Sequence, residues 1–75
     1  KTLSSPLYRQ FLVLMRDARD RAGLSQVELA ARLKKPQSFV SKYESGERRL
    51  DVAEFIQICQ AMEVSAPKLL KKLVD

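Results

Sequence analysis

Histidine and tryptophan are absent from the 75 residues, and cysteine, glycine and proline number only one, two and three. Without His, a zinc site or a His-based catalytic triad is all but excluded, and no metal or cofactor is expected. The lone Cys59 rules out an internal disulfide and fits a reducing compartment. Long apolar runs are missing too. The longest, Phe11 to Met15, is far short of the roughly 20 residues that span a bilayer, so no membrane partner is expected. No basic-then-apolar leader is visible, and the expected location is cytoplasmic. Repeats, linkers and low-complexity tracts are absent as well. Scattered carboxylates such as Asp17, Asp20 and Glu28 have no His, metal cluster or Gly-rich loop to work with, which disfavours an enzyme.

What remains is ordinary globular material, 45% apolar and 31% charged, enough for one small domain over residues 1–75. The net charge of +5 is unevenly placed. Residues 1–24 carry five cations against two anions, residues 25–50 six against three, and residues 51–75 three against four. A basic first two-thirds beside a near-neutral remainder suits a polyanion, nucleic acid first among them.

The pattern throughout is helical. Ser5 and Pro6 open a first helix that should run to about Ala22 and stop at Gly23. Its expected core stripe is Leu7, Phe11, Leu14, Met15, Ala18 and Ala22, with Tyr8 and Leu12 extending sideways, either under the C-terminal segment or into a subunit interface. Ser25 and Glu28 have capping-box spacing, and Leu24 with Leu29 forms a hydrophobic staple. Leu29, Ala30 and Leu33 continue a second helix, which Lys34, Lys35 and Pro36 interrupt. A third helix runs from about Pro36 to Ser45 and ends at Gly46. Two short helices joined by about four residues, over 25–46, have the geometry of a helix-turn-helix. Asp51 and Glu54 repeat the capping box for a fourth helix with Val52, Phe55, Ile58 or Cys59, and Met62 facing the core. Ser65 caps a last, basic and amphipathic helix carrying Leu69, Leu70, Leu73 and Val74. The expected architecture is an all-α bundle of five helices.

On a helical wheel, Val40, Tyr43 and Glu44 turn inward, whereas Gln37, Ser38, Ser41, Lys42 and Ser45 share the outward face. Short donors plus one Lys, nearly free of Asp and Glu, suit a major groove.

The run LSQVELAARL…PQSFVSKYESGERRL resembles the helix-turn-helix of the phage Cro/repressor (XRE) family of DNA-binding regulators, a lambda-repressor-like domain. The matching marks are Leu24-Ser25-Gln26, Glu28-Leu29-Ala30, Leu33, Gln37-Ser38, Val40-Ser41-Lys42, Glu44 and Gly46. Similarity continues through Ile58, Ala61, Met62, Val64 and Leu69-Leu70, so that it covers roughly Arg16 to Leu70. The resemblance implies that Arg19 pairs with Glu44 in a structural, partly buried bond. It places Gln37 and Ser38 over bases, with Lys42 one turn on; Gln suits adenine and Lys suits guanine. Ser41 and Ser45 are expected at base or phosphate. Gln26, first in its helix, matches the family's phosphate-binding Gln, where anions are favoured. Arg48, Arg49 and Lys35 are expected to grip phosphate at the groove edges. Phe39 is open between core and a thymine methyl, with core favoured. Three positions depart from the family's commonest pattern: Lys34 and Glu63 stand where Gly often ends a helix, and Pro36 replaces a Ser or Thr cap.

The expected function is a sequence-specific regulator of double-stranded DNA, a repressor acting as a homodimer on a palindromic operator, in a prokaryotic or phage nucleoid setting. No small-molecule ligand is evident. The alternative is a protein-interaction module on the same fold, an antitoxin or adaptor subunit, using the apolar sides of its first and last helices.

Overall fold

The computed structural model describes residues 5–75, and their regular structure is wholly helical. The helices are α1 (Pro6–Arg21), α2 (Gln26–Leu33), α3 (Gln37–Ser45), α4 (Val52–Met62) and α5 (Ala66–Val74). Local chemistry explains most of their ends. Ser5 Oγ accepts the Tyr8 N–H at 3.3 Å, and Pro6 sits where a missing N–H costs nothing. Ser25 with Glu28 and Asp51 with Glu54 form complete capping boxes that open α2 and α4. Ser65 caps α5 through the Lys68 N–H.

The exits share one device. Gly23 takes a left-handed φ of 75°, and the Leu24 N–H donates to the Arg19 carbonyl at 3.2 Å. Lys34 (φ 57°) and Glu63 (φ 60°) adopt the same conformation, as their place opposite a helix-ending Gly implies. The following N–H groups, of Lys35 and Val64, reach the Ala30 and Cys59 carbonyls at 3.0 Å. Left-handed geometry costs a side-chain-bearing residue about 1–2 kcal/mol, and the recovered carbonyl bonds offset part of it. At α3 the entry differs: Pro36 is extended and offers no side-chain cap. Gly46, at φ 84°, ends the helix as expected.

α3 packs on α2 and α1, α2 on α4, and α5 closes the far side against α1 and α4. Met15, Leu29, Val40, Tyr43, Ile58 and Cys59 are fully buried at the centre. Each contributes on the order of 2 kcal/mol by leaving water. Two elements of the expected core need correction. The buried positions of α1 are Leu12, Met15 and Arg19; Phe11, Leu14 and Ala18 of the expected stripe pack beside them half-buried, as does Tyr8. Leu12 is therefore deep core, while Leu7 is 58% exposed and Ala22 is also outside. An arginine at the C-terminal end of the buried line hides part of it from a count of apolar residues. Val52 is likewise 74% exposed, because the first position of α4 points away from the bundle. Leu7, Val52, Ile56 and Leu70 instead line an open apolar groove of about 760 Å³ between α1, α4 and α5.

Candidate nucleic-acid interface

The third helix stands out from the bundle because one of its faces is anchored and the other is not. Val40 and Tyr43 plug it into the core, and the Glu44 side chain turns inward with only 5% of its surface exposed. That carboxylate meets Arg19 in a fork: Nε donates to Oε2 at 2.7 Å and Nη2 to Oε1 at 3.1 Å. Arg19 Nη1 donates to the Leu24 carbonyl at 2.9 Å, which leaves the buried guanidinium well supplied with acceptors. The hydrogen bond to Glu44 raises the Arg19 pKa further, so the cation is permanent. The structural pairing implied by the resemblance is present.

From Glu44 the polar chain runs outward. Gln26 Nε2 donates to Glu44 Oε1 at 2.9 Å, and Gln37 Nε2 donates to Gln26 Oε1 at 3.0 Å. The first residue of α2 and the first of α3 are thus bound to each other and to the ion pair beneath. A side chain at the start of α3 that would otherwise sample several rotamers is held at the tip of a rigid relay. This is the ordering of exposed groups that recognition needs.

The remaining outward residues fall where the wheel put them. Gln37, Ser38, Lys42 and Ser45 are exposed and Ser41 is half-buried beside them. No carboxylate shares that face of the helix; the one acid in α3 is the inward Glu44. Ser45 Oγ donates to the Lys42 carbonyl at 3.0 Å and accepts the Glu47 N–H at 3.3 Å, so its single hydrogen is engaged in closing the helix end.

The expected phosphate-gripping cations are arranged on aromatic rings. Lys35 Nζ lies 5.1 Å from the Phe39 centroid, and Arg48 Cζ lies 5.0 Å from the same ring. Phe39 itself is half-buried and meets Tyr43 edge-on at 5.6 Å. It is a core-edge residue that also seats two cations, a role the sequence pattern did not signal. Arg49 sits 4.1 Å above the Tyr8 ring, and the Tyr8 hydroxyl accepts the Leu50 N–H at 3.1 Å. Cation–π contacts of this kind are worth about 0.5–1 kcal/mol at exposed sites, enough to bias where a long side chain rests.

Glu54 was expected only in the α4 cap. Its carboxylate also forks with Arg48, at 2.7 Å to Nη2 and 3.1 Å to Nη1. That fork, with the Asp51 N–H, pulls the Glu54 pKa from 4.5 down to about 2. Among the described residues no group of His, Cys, Asp and Glu could hold a metal ion, and no helix is long and apolar enough to cross a membrane. Cys59 is buried, which pushes its thiol up to about 11, and it lies within the core.

Five helices, with α2 and α3 joined by a three-residue turn and α3 presenting a polar, acid-free face, define a helix-turn-helix protein. Comparison with known proteins makes the class specific. The profile of a family described as helix-turn-helix matches residues 15–69. An XRE-family like protein from Pseudomonas syringae pv. tomato is similar in structure with a TM-score of 0.87 and 51% identity, over 91% of this chain and 83% of that one. A mutant of the restriction-modification controller protein C.Esp1396I has the same fold, with a TM-score of 0.85 and 24% identity over 96% of this chain and 91% of that one. No curated protein matches. The chain belongs to the XRE-type helix-turn-helix family, and its fold is that of a DNA-binding transcriptional regulator.

Proposed function

We propose that the protein is a sequence-specific repressor that reads the major groove of double-stranded DNA with α3, as a homodimer on a palindromic operator. The observation that carries this reading is the outward face of α3. It offers Gln37, Ser38, Ser41 and Lys42 without a carboxylate, above a relay that fixes Gln37 to Gln26. In this reading those four meet base edges, and Gln26, Lys35, Arg48 and Arg49 hold phosphate, with Ser45 at the border. The setting is the cytoplasm, on a bacterial or phage nucleoid, and the chain does its work by binding rather than catalysis.

The dimer is supported by size and surface. A single helix reads only a few base pairs, and two-fold sites of this class lie about 34 Å apart. The domain measures 29 × 27 × 21 Å, so two copies abutting at one face separate equivalent helices by a comparable distance. The groove flanked by Leu7, Val52, Ile56 and Leu70 is the apolar face available for that contact. The same groove favours a second reading, an antitoxin or adaptor subunit that seats a different protein there. Sedimentation separates them: a concentration-dependent dimer that Ile56→Asp abolishes favours the first, and a strict monomer the second.

Binding by variants tests the reading roles. Lys42→Ala should lower affinity mainly for the operator. Arg49→Ala should weaken all duplexes and flatten the salt dependence by about one charge. Equal losses on operator and random DNA for both variants would refute the division of labour.

A further inference from the structure

Arg48 is an expected phosphate contact that comes with an anion already in place. Its guanidinium presents Nη1 and Nη2 to the two oxygens of Glu54 at 3.1 and 2.7 Å, the bidentate geometry in which arginine also takes phosphate. The carboxylate is held there independently of Arg48, because Glu54 Oε1 also accepts the Asp51 N–H at 3.0 Å in the α4 cap. The arginine is 44% exposed and the glutamate 18%, so the cation faces solvent with the acid behind it. Phe39 backs the guanidinium at 5.0 Å. The Arg48 N–H donates to the Lys42 carbonyl at 3.2 Å, which seats this pair beside the turn that carries Lys42.

We propose that Glu54 is a built-in counter-anion of the DNA-facing loop: it occupies Arg48, must be displaced or shared when a phosphate arrives, and so limits affinity for DNA of any sequence. The inference rests on the DNA-reading function above. Its consequence is specific. In the wild-type protein Glu54 offsets part of what Arg48 contributes to phosphate binding, and the cost of exchanging one anion for another falls on operator and random DNA alike.

Glu54→Gln tests this, because glutamine also serves at the third position of a capping box while it lacks the charge. Binding is measured on a short random-sequence duplex at several salt concentrations, with far-UV circular dichroism to confirm folding. Releasing one cation should steepen the slope of log K against log salt by about 0.9 and raise affinity several-fold, roughly 3–10-fold near 0.1 M salt. Arg48→Ala should abolish the gain, so that the double variant with Glu54→Gln binds no more tightly than Arg48→Ala alone. A folded Glu54→Gln protein whose affinity and slope are unchanged or lower overturns the proposal and leaves Glu54 as a cap alone. A gain that persists without Arg48 overturns it too, since general repulsion would then be the cause. Wild-type protein that binds no duplex at low salt overturns the DNA-reading function itself, a result distinct from either.

Discussion

Replacing Glu44 by alanine removes the centre of the polar relay. Arg19 would keep the Leu24 carbonyl at 2.9 Å and a loose approach to Asp20 at 3.6 Å, but its guanidinium would lose both bonds of the fork while remaining in a site 7% exposed. Gln26 would also lose an acceptor. Removing one partner of a buried pair typically costs about 3–5 kcal/mol, mostly because the other charge is left uncompensated. A domain of this length has about 4–11 kcal/mol in total, at roughly 0.05–0.15 kcal/mol per residue. The substitution should therefore consume a large share of the stability, with Tm falling by about 12 °C or more at 4–8 °C per kcal/mol. Urea unfolding followed by circular dichroism reads the loss directly. Glu44→Gln, which keeps an acceptor, should cost less. The double variant Arg19→Met with Glu44→Leu should recover much of the stability, because an apolar pair leaves no stranded charge. A loss under about 1 kcal/mol in Glu44→Ala would refute the reasoning, for it would mean that Arg19 finds water or another partner as easily as Glu44.

Three further outcomes are expected. Tyr43 is fully buried and its hydroxyl meets no hydrogen-bond partner among the described residues, so Tyr43→Phe should leave the urea midpoint unchanged or raise stability by about 1 kcal/mol; a clear drop would reveal a partner for that hydroxyl. Cys59, buried with its thiol pushed up to about 11, should react with a thiol reagent in native protein only as fast as the fold opens, and an equal rate in native and urea-unfolded protein would contradict that burial. Glu54 is held well below its ordinary 4.5, at about 2, so its stabilising contribution is complete above 4.5 and is lost as pH falls toward 2. Over that window Glu54→Gln should lose less stability than wild type in acid titrations of the unfolding midpoint, and parallel profiles would contradict the Arg48 fork.

Helix boundaries were legible because they are local events. Ser25 with Glu28 and Asp51 with Glu54 announce their helices within four residues, and Gly23 and Gly46 announce two ends. Lys34 and Glu63 were readable as left-handed only through the family resemblance, since nothing in a lysine or glutamate marks that conformation. The inward turn of Val40, Tyr43 and Glu44 followed from helical spacing alone. Other features depend on tertiary approach. The buried line of α1 ends at Arg19, so apolar periodicity alone does not trace it in full. Glu54 satisfied its cap and gave no sign of a second partner six residues upstream. The sequence alone does not decide Phe39 between core and base, because its neighbours Lys35 and Arg48 come from the segments on either side of α3, and only the fold brings both to one ring. The link from Gln37 to Gln26 likewise depends on how α2 and α3 cross.

Selection of bound sequences from a random duplex pool, repeated at two salt concentrations, tests the central claim most directly. The account predicts an enriched inverted repeat with half-sites about one helical turn apart, and affinity that falls steeply as salt rises. Salt-sensitive binding with no enriched motif would contradict the reading role of α3, and an absence of binding at low salt would contradict DNA recognition altogether.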